Sequence, residues 1–165
     1  MYLIAAEVRV VLTLICILLS AFVSKNYKLL YLTILPFITD FFDSIILNFY
    51  KFDLKTYEYQ SKDKIIDWMT YFVIIILLKP FYPKYVYYIL WIFLAWRFIG
   101  LYKFILSGET GTLKIFFDAV NSTMVVYYLS TLIPLVHNNI CLFIIIGLLV
   151  KVLFEYKIHS FVEYK

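Results

Sequence analysis

The sequence predicts an all-α integral membrane protein: a bundle of six transmembrane helices that form a single domain. Of its 165 residues, 64% are hydrophobic and 21% are aromatic, and the mean hydropathy is +0.90. Soluble domains are about 45–50% apolar, so this excess is larger than a soluble core requires. The apolar residues also come in long runs rather than narrow stripes, which is typical of segments that cross a bilayer.

Short polar or turn-forming stretches separate the apolar runs and delimit the predicted spans. The six spans are 8–23, 29–49, 63–78, 85–106, 116–136 and 140–154. A cleaved signal peptide is the alternative for the first run. Glu7 and Arg9 stand where a basic cluster would precede such a peptide, and the residues around Val23 make a poor cleavage site. We therefore expect a retained helix.

The distribution of positive charge predicts the topology. Six spans place both termini on one side of the membrane, and most of the 15 lysines and arginines fall on that side. The other side holds only Lys25, Lys28, Lys79 and Lys84. Because cytosolic loops carry an excess of positive charge, both termini and the polar linker 50–62 are predicted to be cytosolic. The basic residues form no continuous stripe, so no nucleic-acid partner is expected.

Four aspartates are the candidate functional residues. Asp40 and Asp43 interrupt the second span, and Asp63 and Asp67 open the third. Spacings of three and four residues put each pair on one helix face. Ionisable side chains within a membrane segment are costly and usually functional. The predicted topology brings further polar residues to the same depth, namely Arg97, Asp118 and Asn121.

Four neighbouring carboxylates require compensating positive charge, because like charges raise one another's pKa values. Candidate sources are Arg97, the linker lysines Lys51, Lys55 and Lys62, or a divalent metal. Carboxylate oxygens suit Mg²⁺, Mn²⁺ or Ca²⁺, which would hold a phosphate-bearing substrate. Plainer interpretations stay open. Asp63, Asp67 and Asp118 would then be acids at helix starts, Arg97 an ion-pair partner or an interfacial residue, and Arg9 interfacial.

The two aspartate pairs resemble a family signature. Asp-x-x-Asp late in one membrane helix, then Asp-x-x-x-Asp at the start of the next, resembles the CDP-alcohol phosphatidyltransferase family over about residues 29–105. The resemblance implies that Asp40, Asp43, Asp63 and Asp67 bind Mg²⁺ or Mn²⁺. It also implies that Asp67 is the candidate base that deprotonates the acceptor alcohol. The expected reaction belongs to phospholipid synthesis and releases CMP from a CDP-linked substrate.

The signature is incomplete. Ser44 and Tyr59 stand where the family has glycine, and Leu47 and Asn48 replace an Ala-Arg pair. The missing arginine removes a phosphate contact, for which Lys51, Lys55, Lys62 or Arg97 would have to substitute. The chain would therefore be a divergent or degenerate relative.

Two alternatives from other classes accompany this hypothesis. One is a small membrane transporter, an ion- or proton-conducting protein or a lipid-binding protein that uses the intramembrane carboxylates. The other is a non-catalytic membrane scaffold. All three hypotheses include membrane lipids as partners, and all leave a homodimer open.

Overall fold

The computed structural model describes residues 2–49, 57–108, 112, 116 and 118–161, and this part of the chain is all-helical. Within these ranges, seven helices are described in full. They are α1 (Tyr2–Leu19), α2 (Lys25–Phe49), α3 (Tyr57–Leu78), α4 (Lys84–Ser107), α5 (Ala119–Leu132), α6 (Pro134–Asn138) and α7 (Ile140–Phe161).

The prediction of six transmembrane helices is wrong. Among the described residues, only α4 is long and apolar enough to cross a membrane. The apolar parts of α2 and α7, Tyr27–Thr39 and Ile140–Phe154, are shorter segments of 10–17 residues. A bilayer core about 30 Å thick needs about 20 apolar residues in a helix, so these segments fall short.

Local features explain why apolar runs did not become spanning helices. The predicted span 116–136 is divided, because α5 ends at Leu132 and α6 begins at Pro134. Between them Ile133 is extended, with φ −119° and ψ 111°. Proline disfavours helical geometry in the residue before it and lacks an amide hydrogen. In α2 and α3, the aspartates divide the apolar residues into shorter segments.

The predicted topology assumed six membrane spans, so it is not supported once the six spans are wrong. The cytosolic placement of both termini depended on an even number of crossings, and a multi-pass topology is not supported. The fourth predicted segment, 85–106, does coincide with α4 to within one residue at each end. The helix α4 therefore indicates association with a membrane.

The core forms where α3 and α4 pack as an antiparallel pair with α2 and α5 against them. The Trp68 indole donates a hydrogen bond to the Leu94 carbonyl at 3.1 Å, and Phe72 meets Trp91 edge-on with ring centroids 5.4 Å apart. These contacts set the register of the pair. The fully buried residues around it include Leu32, Leu35, Ile74, Ile75, Leu78, Val86, Leu90, Val120 and Met124. The helix α1 packs on α2 and α3, and α7 packs on α5.

A close contact joins α4 to the segment before α5. A Cβ atom placed on Gly100 would lie 2.1 Å from the Phe116 Cβ, so only glycine fits without a shift. The Arg97 guanidinium donates to the Phe116 carbonyl at 2.7 Å and holds the same segment.

We predict that Gly100→Ala lowers the free energy of unfolding by about 1–3 kcal/mol, the usual result of overpacking. Gly147→Ala is the matched control, because its new Cβ would meet the Val126 Cγ2 at 3.3 Å, the end of a side chain. Alanine's better helix propensity should leave this control neutral or slightly stabilised. Thermal unfolding of both variants in detergent tests the contact, and equal shifts would contradict it.

Candidate functional site

A cluster of four charges joins α1 to α3, with two members buried and two half-buried, and we call it the α1–α3 ion cluster. It consists of Arg9, Asp63, Lys64 and Asp67. The Arg9 guanidinium donates from Nη1 to the Asp63 Oδ1 and from Nη2 to the Asp67 Oδ1. The Lys64 Nζ lies 2.7 Å from the Asp63 Oδ2 and 3.6 Å from the Asp67 Oδ2. Two positive and two negative charges make the cluster neutral.

Helix geometry explains how these residues meet. Asp63 and Asp67 are four residues apart and share the face of α3 that packs on α1. The helix α3 begins at Tyr57, so both acids lie beyond its first turn. The interpretation of Asp63 and Asp67 as acids at the helix start is therefore wrong.

Arg9 is the member of the candidate site that the sequence pattern did not indicate. The prediction that Arg9 lies at the membrane interface is wrong, because its side chain is only 6% exposed and bridges both aspartates. A signal was available, because α1 and α3 are separated by one intervening helix and so run in the same direction. A charged residue early in α1 therefore lies near the depth of charged residues early in α3.

The charged state of Asp67 follows from its neighbours. Burial alone would raise the pKa of Asp67, but the Arg9 guanidinium, with Lys64 and Arg97, outweighs burial and lowers this pKa below its usual value. The carboxylate is therefore ionised at neutral pH and remains paired with Arg9.

Arg97 and Asp118 have separate roles. Arg97 is buried, and its positive charge acts on Asp67 from a distance while its Nη1 donates to the Phe116 carbonyl. The Asp118 carboxylate accepts hydrogen bonds from the amides of Val120 and Asn121, at 3.1 and 3.5 Å, and caps α5. The interpretation of Asp118 as an acid at a helix start is confirmed.

The structure describes the side chains of only some residues of the predicted metal site. Asp40 and Asp43 lie in α2, but their side chains are outside the described residues, as are Lys51 and Lys55. Lys62 is half-buried in α3. The described residues contain no group of three or more His, Cys, Asp or Glu side chains that could hold a metal ion.

The described acids do not by themselves fit a divalent metal. Mg²⁺ requires about six oxygen ligands, whereas Asp63 and Asp67 are two carboxylates already paired with Arg9 and Lys64. The four-aspartate metal site and the role of Asp67 as a base stay predictions. The same holds for an ion or proton pathway through these carboxylates.

A second feature lies at the opposite end of α3. A cavity of about 770 Å³ is bordered by the turn before α4 and by residues around α6, including Phe81, Tyr82, Tyr85, Tyr127 and His137. The Tyr127 hydroxyl donates to the Phe81 carbonyl at 2.9 Å, and burial raises the pKa of Tyr82. Since no Lys, Arg, Asp or Glu lines this cavity within the described ranges, it is separate from the α1–α3 ion cluster.

Comparisons with known proteins identify no relative: no protein-family model, curated protein or solved structure matches the chain. The resemblance to the CDP-alcohol phosphatidyltransferases therefore rests on the residues of this sequence alone.

We predict that acid weakens the α1–α3 ion cluster. The lowered pKa of Asp67 adds stability that is fully present above its unfolded value of 3.8 and is lost as the pH falls through the lower folded value. Thermal unfolding between neutral pH and about pH 2 measures this loss. Asp67→Asn should be less stable at neutral pH and should show a shallower acid dependence. Parallel curves for the two proteins would contradict the prediction.

Proposed function

We propose that the protein is a membrane-associated scaffold whose shape depends on the α1–α3 ion cluster. The observation that carries this proposal is the pairing of Asp63 and Asp67 with Arg9 and Lys64. A pair of carboxylates awaiting a cation would retain negative charge, whereas this cluster is neutral. Its charges therefore have partners within the protein, as a structural connection between helices requires.

The exposed surface supports the membrane part of the proposal. Large apolar side chains are exposed on several helices, for example Leu18, Ile92, Leu106 and Leu153 at 64–70%. Extensive exposed apolar surface marks a site of contact with lipid or with another protein. The helix α4 supports the same assignment, because its length and composition suit a membrane crossing.

Exchanging charges across the cluster tests the scaffold. Arg9→Asp should destabilise the fold by about 3–5 kcal/mol, because it buries acids without a partner. Adding Asp63→Arg restores opposite charges, so the double variant should recover about 0.5–3 kcal/mol relative to the sum of the single changes. The measurements are unfolding in detergent and the yield of folded protein in the membrane fraction. Strictly additive effects would refute a direct structural pairing.

A divergent CDP-alcohol phosphotransferase is the second candidate, favoured by the position of Asp63 and Asp67. They share one face of α3, and α2, which carries Asp40 and Asp43, packs against the same helix. Arg9 and Lys64 add positive charge beside them, which suits a phosphate group. A Mg²⁺ or Mn²⁺ ion bound by the aspartates would neutralise charge on the substrate's phosphates.

Release of CMP distinguishes the two candidates. Purified protein is supplied with CDP-diacylglycerol or CDP-choline, acceptor alcohols and Mg²⁺ or Mn²⁺. The enzyme proposal predicts release that is lost in Asp63→Asn and in the charge-exchanged double variant. It predicts retained release in Asp118→Asn, because asparagine also caps helices. Absence of release from every substrate pair, with stability recovered in the double variant, would support the scaffold.

A further inference from the structure

We propose that the outward side of α4 contacts the acyl chains of a phospholipid bilayer, with a head-group layer at each end. This surface, which we call the α4 outer face, consists of the exposed residues Tyr85, Tyr88, Ile92, Ala95, Ile99 and Tyr102. The inference rests on the membrane association in the proposed function. It goes further, because it names the surface, its partner and the position of the two head-group layers.

The α4 outer face carries no charge along its length. Its members follow one another in steps of three or four residues, so they share one side of the helix. The opposite side packs on the core and includes Val86, Leu90, Leu94 and Leu101. The only charged residue of the sequence between Lys84 and Lys103 is Arg97, which is buried and donates to the Phe116 carbonyl. The exposed side is therefore uncharged between the two lysines.

The length of the α4 outer face matches the thickness of a bilayer. Lys84 and Lys103 are both exposed and lie 19 positions apart. At a rise of about 1.5 Å per residue they are about 28 Å apart along the helix, close to the hydrocarbon thickness of about 30 Å. Tyr85 and Tyr102 stand directly inside the two lysines. Tyrosine and lysine at both ends of an apolar segment are typical of residues that lie at the two head-group layers.

Burial and polarity favour lipid over protein as the partner of this face. Only 33% of the most apolar stretch of α4 is buried, so this helix is not covered as the core helix of a soluble domain would be. A protein interface has a polar rim around its apolar centre. Trp96 and Phe98, which flank the α4 outer face, are apolar and 42% and 48% exposed. The apolar surface therefore continues around the helix, and the lysines stand at its two ends.

Electron paramagnetic resonance of single spin labels tests the inference on the full chain in phosphatidylcholine vesicles. Cys16 and Cys141 are first replaced by serine, and one cysteine at a time is then introduced and labelled with a nitroxide. Oxygen partitions into hydrocarbon, whereas a nickel chelate stays in water. The ratio of the collision rates with these two reagents measures the depth of each label. Ser24→Cys, at an exposed position in the turn between α1 and α2, provides the reference for a label in water.

We expect the ratio to be highest for Ile92→Cys, near the midpoint between the lysines. It should be lower for Ile99→Cys and lowest for Tyr85→Cys and Leu106→Cys, which lie at the two ends. A low ratio at every position would overturn the inference, because the face would then meet water. A rise toward one end only would contradict the two head-group layers. Spin–spin broadening at Ile92→Cys with little access for oxygen would show a second copy of the chain on this face, which would also overturn it.

A charge placed on the α4 outer face gives a second test. Ile92→Lys should lower the fraction of protein that resists alkaline extraction from the vesicles by at least about tenfold, because a lysine at the centre of a bilayer is costly. Leu106→Lys is the matched control, since Leu106 is 69% exposed and Ile92 is 64% exposed, but Leu106 lies beyond Lys103. This control should be extracted like the unaltered protein, and equal extraction of the two variants would refute the inference.

These experiments separate the inference from the proposed function. Protein that does not bind vesicles at all would refute the membrane association and this inference together. Vesicle-bound protein whose α4 labels meet water would refute this inference alone. The charge exchange between Arg9 and Asp63 does not involve α4, so its outcome tests the scaffold independently.

Discussion

The ion pairing of Arg9 with two aspartates is the constraint on which the arrangement of α1 depends. Removing charges from water is costly, and the loss is offset only when each charge has a close partner of opposite sign. Arg9 can bridge Asp63 and Asp67 only if α1 lies alongside α3 at one rotation and one height. Apolar contacts alone tolerate sliding, so the paired charges select a single register for these two helices.

The helical class and the existence of most elements could be predicted from apolar runs and the polar turns between them. The number of membrane crossings could not be predicted in this way. An apolar run in the sequence does not show where the apolar part of a helix is interrupted. Pro134 ends one such run in the middle, and the aspartates of α2 and α3 shorten two others. In the fourth run, the predicted segment and α4 agree to within one residue at each end.

Only part of the candidate site could be predicted from the sequence. The spacing of Asp63 and Asp67 predicts a shared face, since neighbouring turns of one helix bring such residues together. Their partner Arg9 is more than 50 positions away, and only the packing of α1 on α3 brings it near. Arg97 was the more conspicuous basic residue, yet its hydrogen bond satisfies a backbone carbonyl instead. Long-range partners of this kind are brought together by tertiary packing. The spacing of residues along a single sequence does not reveal such contacts.

The break at Ile133 and Pro134 has a consequence for cooperativity. It turns the chain so that α7 returns along α5, and α7 packs mainly on that one helix. The helices α2 to α5, in contrast, share the central core. An element held by one neighbour contributes little to that core and can detach without disrupting it. The C-terminal helix is therefore the natural first unit of partial unfolding, and an element that two copies of this chain could exchange.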